Sequence, residues 1–267
     1  MTAEQNDSVE LIKSGHVATI RLNRPPRNTM SPDLMARFLE RISEVKHDPE
    51  IRALVITSNG KHFCAGAELS GGMPGVPDGL GGPAGIANRM RQVYTPFLTL
   101  MDLEIPTVAA INGAAVGGGL GLALVCDFRV VTPKSRMMAP FAKLGLHPGM
   151  ALTYLLPRLV GMPRAMEMLM CGSDIFGEQA LQWGLANRCV DEDKLMEEAL
   201  SFAEKLAEGA PAVIRWTKRS VHRAIDLDAR AAADTESLAQ ALTINSEDAR
   251  EGLKAFFEKR KPEFTGS

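Results

Sequence analysis

The sequence has few aromatic residues, no paired cysteine motif and almost no net charge. Aromatic side chains make up 5% of its 267 residues, whereas glycine occurs 24 times and methionine 14 times. Close backbone approaches and adaptable apolar packing are therefore expected to matter more than aromatic stacking. The 30 basic and 32 acidic side chains leave a net charge of −2, which argues against a nucleic-acid-binding protein.

Four cysteines are present, Cys64, Cys126, Cys171 and Cys189, and they form no C-x-x-C pair. This spacing predicts neither a structural zinc site nor a small disulfide scaffold, so no metal is expected. The first ten residues lack the basic start and the apolar core of a secretory signal. Reduced thiols and a cytoplasmic location are the resulting expectation.

A long uncharged segment, residues 105–126, could suggest a membrane span. Pro106, Asn112 and several glycines dilute its hydrophobicity, and Glu104 and Asp127 bound it in place of basic flanks. The sequence therefore predicts a buried strand, a tight turn and a buried helix, and no membrane association.

Short strands that alternate with helices predict an α/β protein. The predicted strands are residues 16–22, 53–57, 107–111 and 128–131. A first helix is expected after the Ser31 cap, and from Ala151 onward the pattern is helical. The predicted later helices are residues 152–160, 164–170, 178–183, 193–208, 212–224, 231–245 and 248–259. Glycines and prolines dominate residues 71–85, which predicts a mobile surface loop, either a tolerated insertion or a flap over a pocket.

Two glycine-containing turns follow predicted strands. The first, residues 61–69, reads KHFCAGAEL, and the second, residues 112–121, reads NGAAVGGGLG. Small residues leave backbone N–H groups unshielded, and a helix that starts after the second turn adds unpaired N–H groups and a positive dipole end. Two such donors that converge on one oxygen would form an oxyanion hole.

A dinucleotide site is a rival interpretation of the second turn. A G-x-G-x-x-G pattern that starts at Gly117 needs glycine at Leu122, and one that starts at Gly113 needs glycine at Ala115. No acid follows at the expected distance of about twenty residues. These failures argue against a nucleotide-dependent oxidoreductase, while close helix–strand packing without a function stays an alternative.

The two turns, together with other motifs, resemble the crotonase family of enoyl-CoA hydratases and isomerases over nearly the whole chain. The opening motif of the family is matched by LNRP at residues 22–25 with Asn28, and its first oxyanion loop by FCAGAEL at residues 63–69. Its second oxyanion loop is similar to residues 105–119, followed by Cys126 and Asp127. The motifs that complete the resemblance are LGLHPG at residues 144–149, residues 180–186, EG at residues 251–252 and FFEKR at residues 256–260.

The resemblance implies a fold, a substrate and an assembly. The expected fold is α/β, with a crotonase-like ββα spiral core and a helical C-terminal region. Residues 1–200 would form the core with a CoA thioester site, and residues 201–267 a C-terminal helical trimerisation region. Family members bind an acyl-CoA substrate, need no separate cofactor because coenzyme A is part of that substrate, and self-associate as trimers or dimers of trimers.

The resemblance also implies roles for single residues. The amides of Ala67 and Gly118 would hold the thioester oxygen, and a stabilised enolate would support hydration, a double-bond shift or thioester cleavage. The implied substrate-binding residues are Arg27, Lys61, Ala65, Glu68, Leu69, Gly117, Phe141, Phe256 and Lys259. Lys61 and Arg27 would meet CoA phosphates. A solvated surface position is the alternative for these two, and core packing is the alternative for Phe256.

The acids of the family are missing from this sequence. Family hydratases carry glutamates at the positions of Gly121 and Phe141, and other members carry an acid at the position of Gly149. Because general acid–base catalysis contributes about 10²–10⁴ to a rate, hydration by the two-glutamate mechanism is not expected. Phe141 next to Met137 and Met138 predicts an apolar wall that suits a long or bulky acyl chain.

His147 is the predicted replacement for the missing acids, because its imidazole titrates near neutrality; a structural histidine is the alternative. Tyr154 and Glu68 are further candidates, although Glu68 is expected to stabilise its loop, and Cys64 has no identifiable basic partner. The sequence thus predicts an acyl-CoA-processing enzyme of the hydratase/isomerase type. A non-catalytic acyl-CoA-binding member, an isomerase or a thioester hydrolase stay alternatives.

Overall fold

A mostly parallel sheet forms the centre of the structure, a computed structural model that describes residues 7–68 and 82–267. The strands in these residues are β1 (Val9–Ser14), β2 (Val17–Leu22), β3 (Ala53–Ser58), β4 (Thr107–Ile111), β5 (Ala114–Val116), β6 (Phe128–Val131), β7 (Arg136–Met138), β8 (Asp174–Phe176) and β9 (Arg188–Cys189). The helices in the same residues are α1 (Pro32–His47), α2 (Gly82–Met101), α3 (Gly118–Val125), α4 (Leu152–Val160), α5 (Met162–Met166), α6 (Gly177–Trp183), α7 (Leu195–Ala207), α8 (Pro211–Ala224), α9 (Ala229–Thr243) and α10 (Glu247–Glu258).

The central sheet has the order β1-β2-β3-β4-β6-β9. Strands β1 and β2 form an antiparallel hairpin, and the remaining neighbours pair in parallel. Every residue of β3 and β4 is buried, as expected of parallel strands that are covered on both faces. The four strands that the sequence predicts are confirmed, with ends that differ by one residue at most.

The strands that the sequence pattern did not reveal are short or exposed. β5, β7 and β8 have three residues each and form a second sheet in the order β5-β7-β8. A segment of this length shows no measurable alternation. In β1 only Val9 is buried, so this edge strand also lacks a clear apolar period.

The helices begin largely where local signals place them. The Ser31 hydroxyl accepts a hydrogen bond from the Leu34 amide at 3.2 Å and caps α1, as predicted. The predicted helix 164–170 is divided between α5 and a π-helical turn, Glu167–Cys171. Helix α2 was not predicted, and its first residues belong to the predicted glycine-rich loop; residues 71–81 of that loop lie outside the described residues.

Helices cover the central sheet on both faces. Leu54 and Ile56 of β3 point into one core with α1, α2 and α3, and Ala53 and Val55 point into the other core with α7. This alternation follows from the two-residue period of a strand. Helix α7 contains residue 200, where the predicted boundary between core and C-terminal region falls, and it packs on the sheet; the division itself stays a prediction.

The uncharged segment 105–126 forms β4, a turn with β5, and α3, as predicted. Seven of the eight residues of α3 are buried, which explains why the helix is apolar on all sides. Among the described helices, none combines the length and the apolar character that a membrane span requires.

Asp127 joins the central sheet to α8. Its carboxylate accepts hydrogen bonds from the Thr107 amide at 2.8 Å and hydroxyl at 2.9 Å. It also contacts the Lys218 ammonium group at 2.7 Å and the His222 ring at 3.0 Å. Burial opposes ionisation, but the hydrogen bond with His222 and the charge of Lys218 outweigh it, so the pKa of the Asp127 carboxyl lies below its usual value.

We expect Asp127→Asn to lower the free energy of unfolding by about 3 kcal/mol, because it leaves the largely buried Lys218 ammonium group without its charge partner. A lowered pKa means that the carboxylate stabilises the fold above its unfolded pKa of about 3.9, and that this contribution is lost as the pH falls through the folded pKa. Urea unfolding between neutral pH and about pH 3 should show a stability gap between wild type and variant that narrows at low pH.

Asp226→Asn is the matched control, because Asp226 is more than half exposed and lies 3.5 Å from Arg158. Its effect on the free energy of unfolding should stay within about 0.5 kcal/mol. Equal losses in the two variants would contradict the anchoring role of Asp127.

Candidate functional site

The first glycine turn, residues 61–68, follows β3 and pairs with β5. The Cys64 amide donates to the Ala114 carbonyl at 3.1 Å, and the Cys64 carbonyl accepts from the Val116 amide at 3.0 Å. These two bonds connect the turn to the strand that leads into α3. The first turn is therefore attached directly to the second one.

The segment after β2 supports the same turn from the other side. The Met30 amide donates to the Gly66 carbonyl at 2.9 Å. The Asn28 side chain is fully buried and donates to the carbonyl groups of Asn59 and His62, each at 2.8 Å. Asn28 has a φ of +47°, a conformation that asparagine tolerates better than most residues. The asparagine of the opening motif thus fixes the base of the turn.

The second glycine turn places the start of α3. Gly117 has a φ of +55°, which favours glycine, and its amide donates to the Met138 carbonyl of β7 at 2.9 Å. Helix α3 then begins at Gly118. The small sheet, which the sequence did not predict, therefore sets the direction in which this helix starts.

The two turns touch backbone to backbone. A Cβ atom added to Gly66 would lie 3.3 Å from the Gly118 nitrogen and 2.7 Å from the Val116 carbonyl oxygen. A Cβ atom on Gly118 would lie 3.7 Å from the Gly66 Cα, and one on Gly119 would overlap the Cys64 carbonyl oxygen. Side chains at these positions would force the turns apart, so the glycines are required for the approach.

Two amides at this junction are unpaired. Within the described residues, neither the Ala67 N–H nor the Gly118 N–H donates to another protein group. Gly118 is the first residue of α3, so its amide has no intrahelical acceptor and lies at the positive end of the helix dipole. The arrangement can stabilise negative charge on a bound oxygen. The oxyanion role of Ala67 and Gly118 stays a prediction.

Apolar groups occupy two of the three positions where the family carries acids. A Cβ atom on Gly121 would lie 2.5 Å from the Met150 Cβ, so Met150 fills the space that a glutamate at 121 would need. The Phe141 ring lies 3.7 Å from the position of a Cβ on Gly117. The predicted apolar wall therefore borders the second turn.

The third acid position is next to a tyrosine that sequence reasoning missed as a site residue. A Cβ atom on Gly149 would lie 2.5 Å from the Tyr94 hydroxyl oxygen. Tyr94 belongs to α2, which had no clear helical signal in the sequence. Only the tertiary contact between α2 and the 144–149 turn identifies it.

The two predicted phosphate-binding residues, Arg27 and Lys61, contact the glycine turns through their backbone carbonyl groups. The Arg27 carbonyl accepts from the Ala65 amide at 2.9 Å, and a Cβ on Gly113 would overlap the Lys61 carbonyl. The side chains of Arg27 and Lys61 are both exposed, and among the described residues neither forms an ion pair. Both cations are therefore accessible from solvent, and the binding of CoA phosphates by them stays a prediction.

Glu68 is the last described residue of the first turn. The Glu68 carboxylate contacts the Arg24 guanidinium group at 2.9 Å, which agrees with the expected stabilisation of the loop. Both side chains are about 40% exposed, so the ion pair contributes little to stability. Leu69, a predicted substrate contact, lies outside the described residues.

His147 and Tyr154 make contacts away from the two amides. The exposed His147 ring lies 2.8 Å from the Pro148 carbonyl oxygen through Nδ1. The Tyr154 ring stacks on the Arg158 guanidinium group, whose central carbon lies 3.5 Å from the ring centre. Within the described residues no hydrogen bond connects either side chain to the turns. The role of His147 in proton transfer stays a prediction.

Cys64 is unsuited to act as a nucleophile. Burial raises the pKa of its thiol to about 12, so the reactive thiolate is not formed near neutral pH. In the described part of the chain, no group of three or more His, Cys, Asp and Glu side chains is arranged to hold a metal ion.

The C-terminal residues predicted to bind substrate are exposed. Phe256 is 76% accessible and makes an edge contact with Phe257, with ring centres 5.7 Å apart. The alternative that Phe256 packs in the core is therefore wrong for this chain. Lys259 ends α10 with a φ of +55°.

A sizeable apolar cavity of about 390 Å³ lies at the other end of α3. Leu124, Tyr154 and Val221 are among the residues that line it. Because α3 is about 12 Å long, this cavity is separate from the amides at the start of the helix.

The comparisons with known proteins agree with these motifs. The sequence model of the enoyl-CoA hydratase/isomerase family matches residues 13–267. The chain is 35% identical to a short-chain-enoyl-CoA hydratase of Clostridium acetobutylicum, over 96% of this chain and 97% of that protein. It is 34% identical to a 1,2-epoxyphenylacetyl-CoA isomerase of Escherichia coli, over 94% of this chain and 95% of that protein.

A solved structure supports the same assignment. The enoyl-CoA hydratase from Bacillus anthracis has a TM-score of 0.90 and 31% identity, covering 97% of this chain and 100% of that one. The predicted α/β crotonase fold is thereby confirmed. The chain belongs to the enoyl-CoA hydratase/isomerase family of the crotonase superfamily and is an acyl-CoA-processing enzyme of the hydratase/isomerase type.

Proposed function

We propose that the chain binds the thioester carbonyl of an acyl-CoA between the amides of Ala67 and Gly118 and stabilises the enolate that forms there. The observation that carries this proposal is the contact between the two turns that hold these unpaired amides. Charge that develops on the oxygen would meet donors that are already oriented. One such donor typically contributes about 10²–10³ to the rate.

The reaction on the enolate proceeds without the two family glutamates. Gly121 and Phe141 carry no titratable group, and Met150 fills the space next to Gly121. A proton shift or an addition next to the carbonyl therefore needs another proton-transfer group. A non-catalytic acyl-CoA-binding protein and a thioester hydrolase are the alternatives, and substrate turnover separates all three.

The substrate contacts follow from the side chains around the turns. Arg27 and Lys61 offer accessible cations to the CoA phosphates, and Ala65 and Gly117 let the thioester approach the backbone. Phe141 would form an apolar wall beside the acyl group of the substrate. Such a wall favours a long or bulky acyl chain, such as the chains of fatty-acid metabolism. No separate cofactor takes part, because coenzyme A belongs to the substrate.

The C-terminal helices would form a self-association surface in a trimer or a dimer of trimers. No residue of α8 or α9 is fully buried, and α9 exposes Leu238, Leu242 and the following Ile244. Apolar surface of this extent marks interaction sites. A neighbouring subunit would also bring Phe256 and Lys259 to a CoA site. A cytoplasmic location fits the four free thiols.

Gly119→Ala tests the contact between the turns. The added Cβ would overlap the Cys64 carbonyl oxygen, so the turns must separate and the Gly118 amide must move. We expect turnover to fall about 10²–10³-fold, measured with crotonyl-CoA or a longer 3-enoyl-CoA, whichever the wild type converts. Calorimetry with an acyl-CoA ketone analogue, in which a methylene group replaces the sulfur atom, should show weaker binding.

Gly85→Ala is the control, because nothing lies within 4 Å of a Cβ added at this helical position. Its turnover and binding should equal those of the wild type. Wild-type turnover in Gly119→Ala would contradict the oxyanion proposal, and binding without turnover in the wild type would favour the non-catalytic alternative.

His147→Ala tests the predicted proton-transfer role of the imidazole. If His147 transfers the proton, turnover should fall by about 10²-fold or more while the affinity for the ketone analogue stays unchanged. The measurement is turnover against pH together with calorimetry. Unchanged turnover would remove His147 from the catalytic groups.

The assembly is tested by sedimentation. We expect a mass of three or six 28.8 kDa chains for the wild type and dissociation of the double variant Leu238→Glu, Leu242→Glu, because two charges would interrupt the apolar face of α9. Gln240→Glu adds a charge on the other side of the same helix and should leave the mass unchanged. A wild-type monomer would contradict the proposed trimer.

A further inference from the structure

Tyr94 occupies the place of the third missing acid. Its hydroxyl oxygen lies 2.5 Å, and its Cζ atom 3.1 Å, from the position of a Cβ on Gly149. An acidic side chain at position 149 and the Tyr94 phenol therefore exclude each other. The Tyr94 phenol can contact position 149 because glycine has no side chain.

Met150 connects the surroundings of Tyr94 to helix α3. Met150 follows Gly149, and its Cβ lies 2.5 Å from the position of a Cβ on Gly121. Gly121 lies three residues after Gly118 in α3, about 4.5 Å along the helix axis. The residue that follows Gly149 thus contacts α3 close to its first turn, while Gly149 itself contacts the Tyr94 phenol.

A strained backbone holds this contact. Met150 and Ala151 have φ values of +59° and +55°, and the left-handed conformation costs about 1–2 kcal/mol for a residue with a side chain. Strain of this kind concentrates at functional sites. Here it turns the chain so that Gly149 faces Tyr94 while Met150 faces α3.

The ring of Tyr94 is anchored but its hydroxyl is free. Phe97 and Leu100 of the same helix are fully buried and set the orientation of α2, and Tyr94 itself packs against the core. Within residues 7–68 and 82–267, no protein group forms a hydrogen bond with its hydroxyl. A half-buried tyrosine normally pairs its O–H, so this one is available to a ligand.

We propose that Tyr94 is the proton donor of the acyl site and protonates the enolate carbon next to the thioester carbonyl. This proposal rests on the proposed function, because it needs the enolate that the two amides stabilise. The O–H bond of Tyr94 breaks, its electron pair stays on the phenolate oxygen, and an electron pair of the enolate forms the new C–H bond. In a hydration, the water that adds to the β-carbon releases the proton that restores the phenol.

The test is the exchange of α-protons of a saturated acyl-CoA in D₂O, which needs the enolate and a proton-transfer group but no complete reaction. We expect wild type to exchange the α-protons of butyryl-CoA, followed by ¹H NMR. Tyr94→Phe should lower this rate at least about 100-fold while calorimetry shows unchanged affinity for the acyl-CoA ketone analogue. In this exchange the phenolate oxygen of Tyr94 takes the α-proton, and the phenol then returns a deuteron to the enolate carbon.

Two further variants separate a catalytic from a structural effect. Tyr154→Phe removes the only other tyrosine hydroxyl, which lies in α4 beside Arg158, and should exchange at the wild-type rate. Gly149→Ala keeps the phenol but displaces its oxygen, since the Cβ would lie 2.5 Å away, and should slow exchange without abolishing binding.

The outcomes are distinguishable. Exchange that persists in Tyr94→Phe overturns the role of Tyr94 alone, because the enolate still forms. A wild type that binds butyryl-CoA without exchange overturns both the role of Tyr94 and the proposed stabilisation of an enolate. A wild type that binds neither butyryl-CoA nor the ketone analogue overturns the proposed function as well.

Discussion

Backbone contact between two glycine turns is the constraint on which the candidate site depends. The Cys64 carbonyl occupies the space of a side chain at Gly119, and Gly66 approaches the Gly118 nitrogen in the same way. Because of this approach, the first amide of α3 comes next to a turn from a different strand. Residues outside the turns hold them in position. The buried Asn28 binds the base of the first turn, and β7 orients the second turn.

Two of the positions where the family carries acids are glycines here, and neighbouring side chains fill the space beside them. Gly121 is compatible with Met150, and Gly149 with Tyr94, only because neither glycine carries a side chain. Phe141 and Met150 are apolar, and no group in the described residues forms a hydrogen bond with the Tyr94 hydroxyl. The glycine turns of the family are preserved, whereas positions 121, 141 and 149 carry no acid.

Polar contacts connect helix α8 to the central sheet. Asp127 lies at the end of the buried segment and is paired with Lys218 and His222 of α8, while no residue of α8 or α9 is fully buried. A single chain thus leaves much of its apolar helical surface uncovered. The apolar cavity at the end of α3 lies beside this uncovered surface, because α8 contributes Val221 to its lining.

Much of the fold and half of the site were predictable from local signals. The apolar runs of β3 and β4, the Ser31 cap and the two glycine turns are encoded by neighbouring residues, and the absence of acids at Gly121 and Phe141 is visible in the sequence itself. The strands β5, β7 and β8 were not predictable, because three residues show no period. The contact of Tyr94 with Gly149 and the contact of the two glycine turns join segments far apart in the chain, so only the packed tertiary structure decided them.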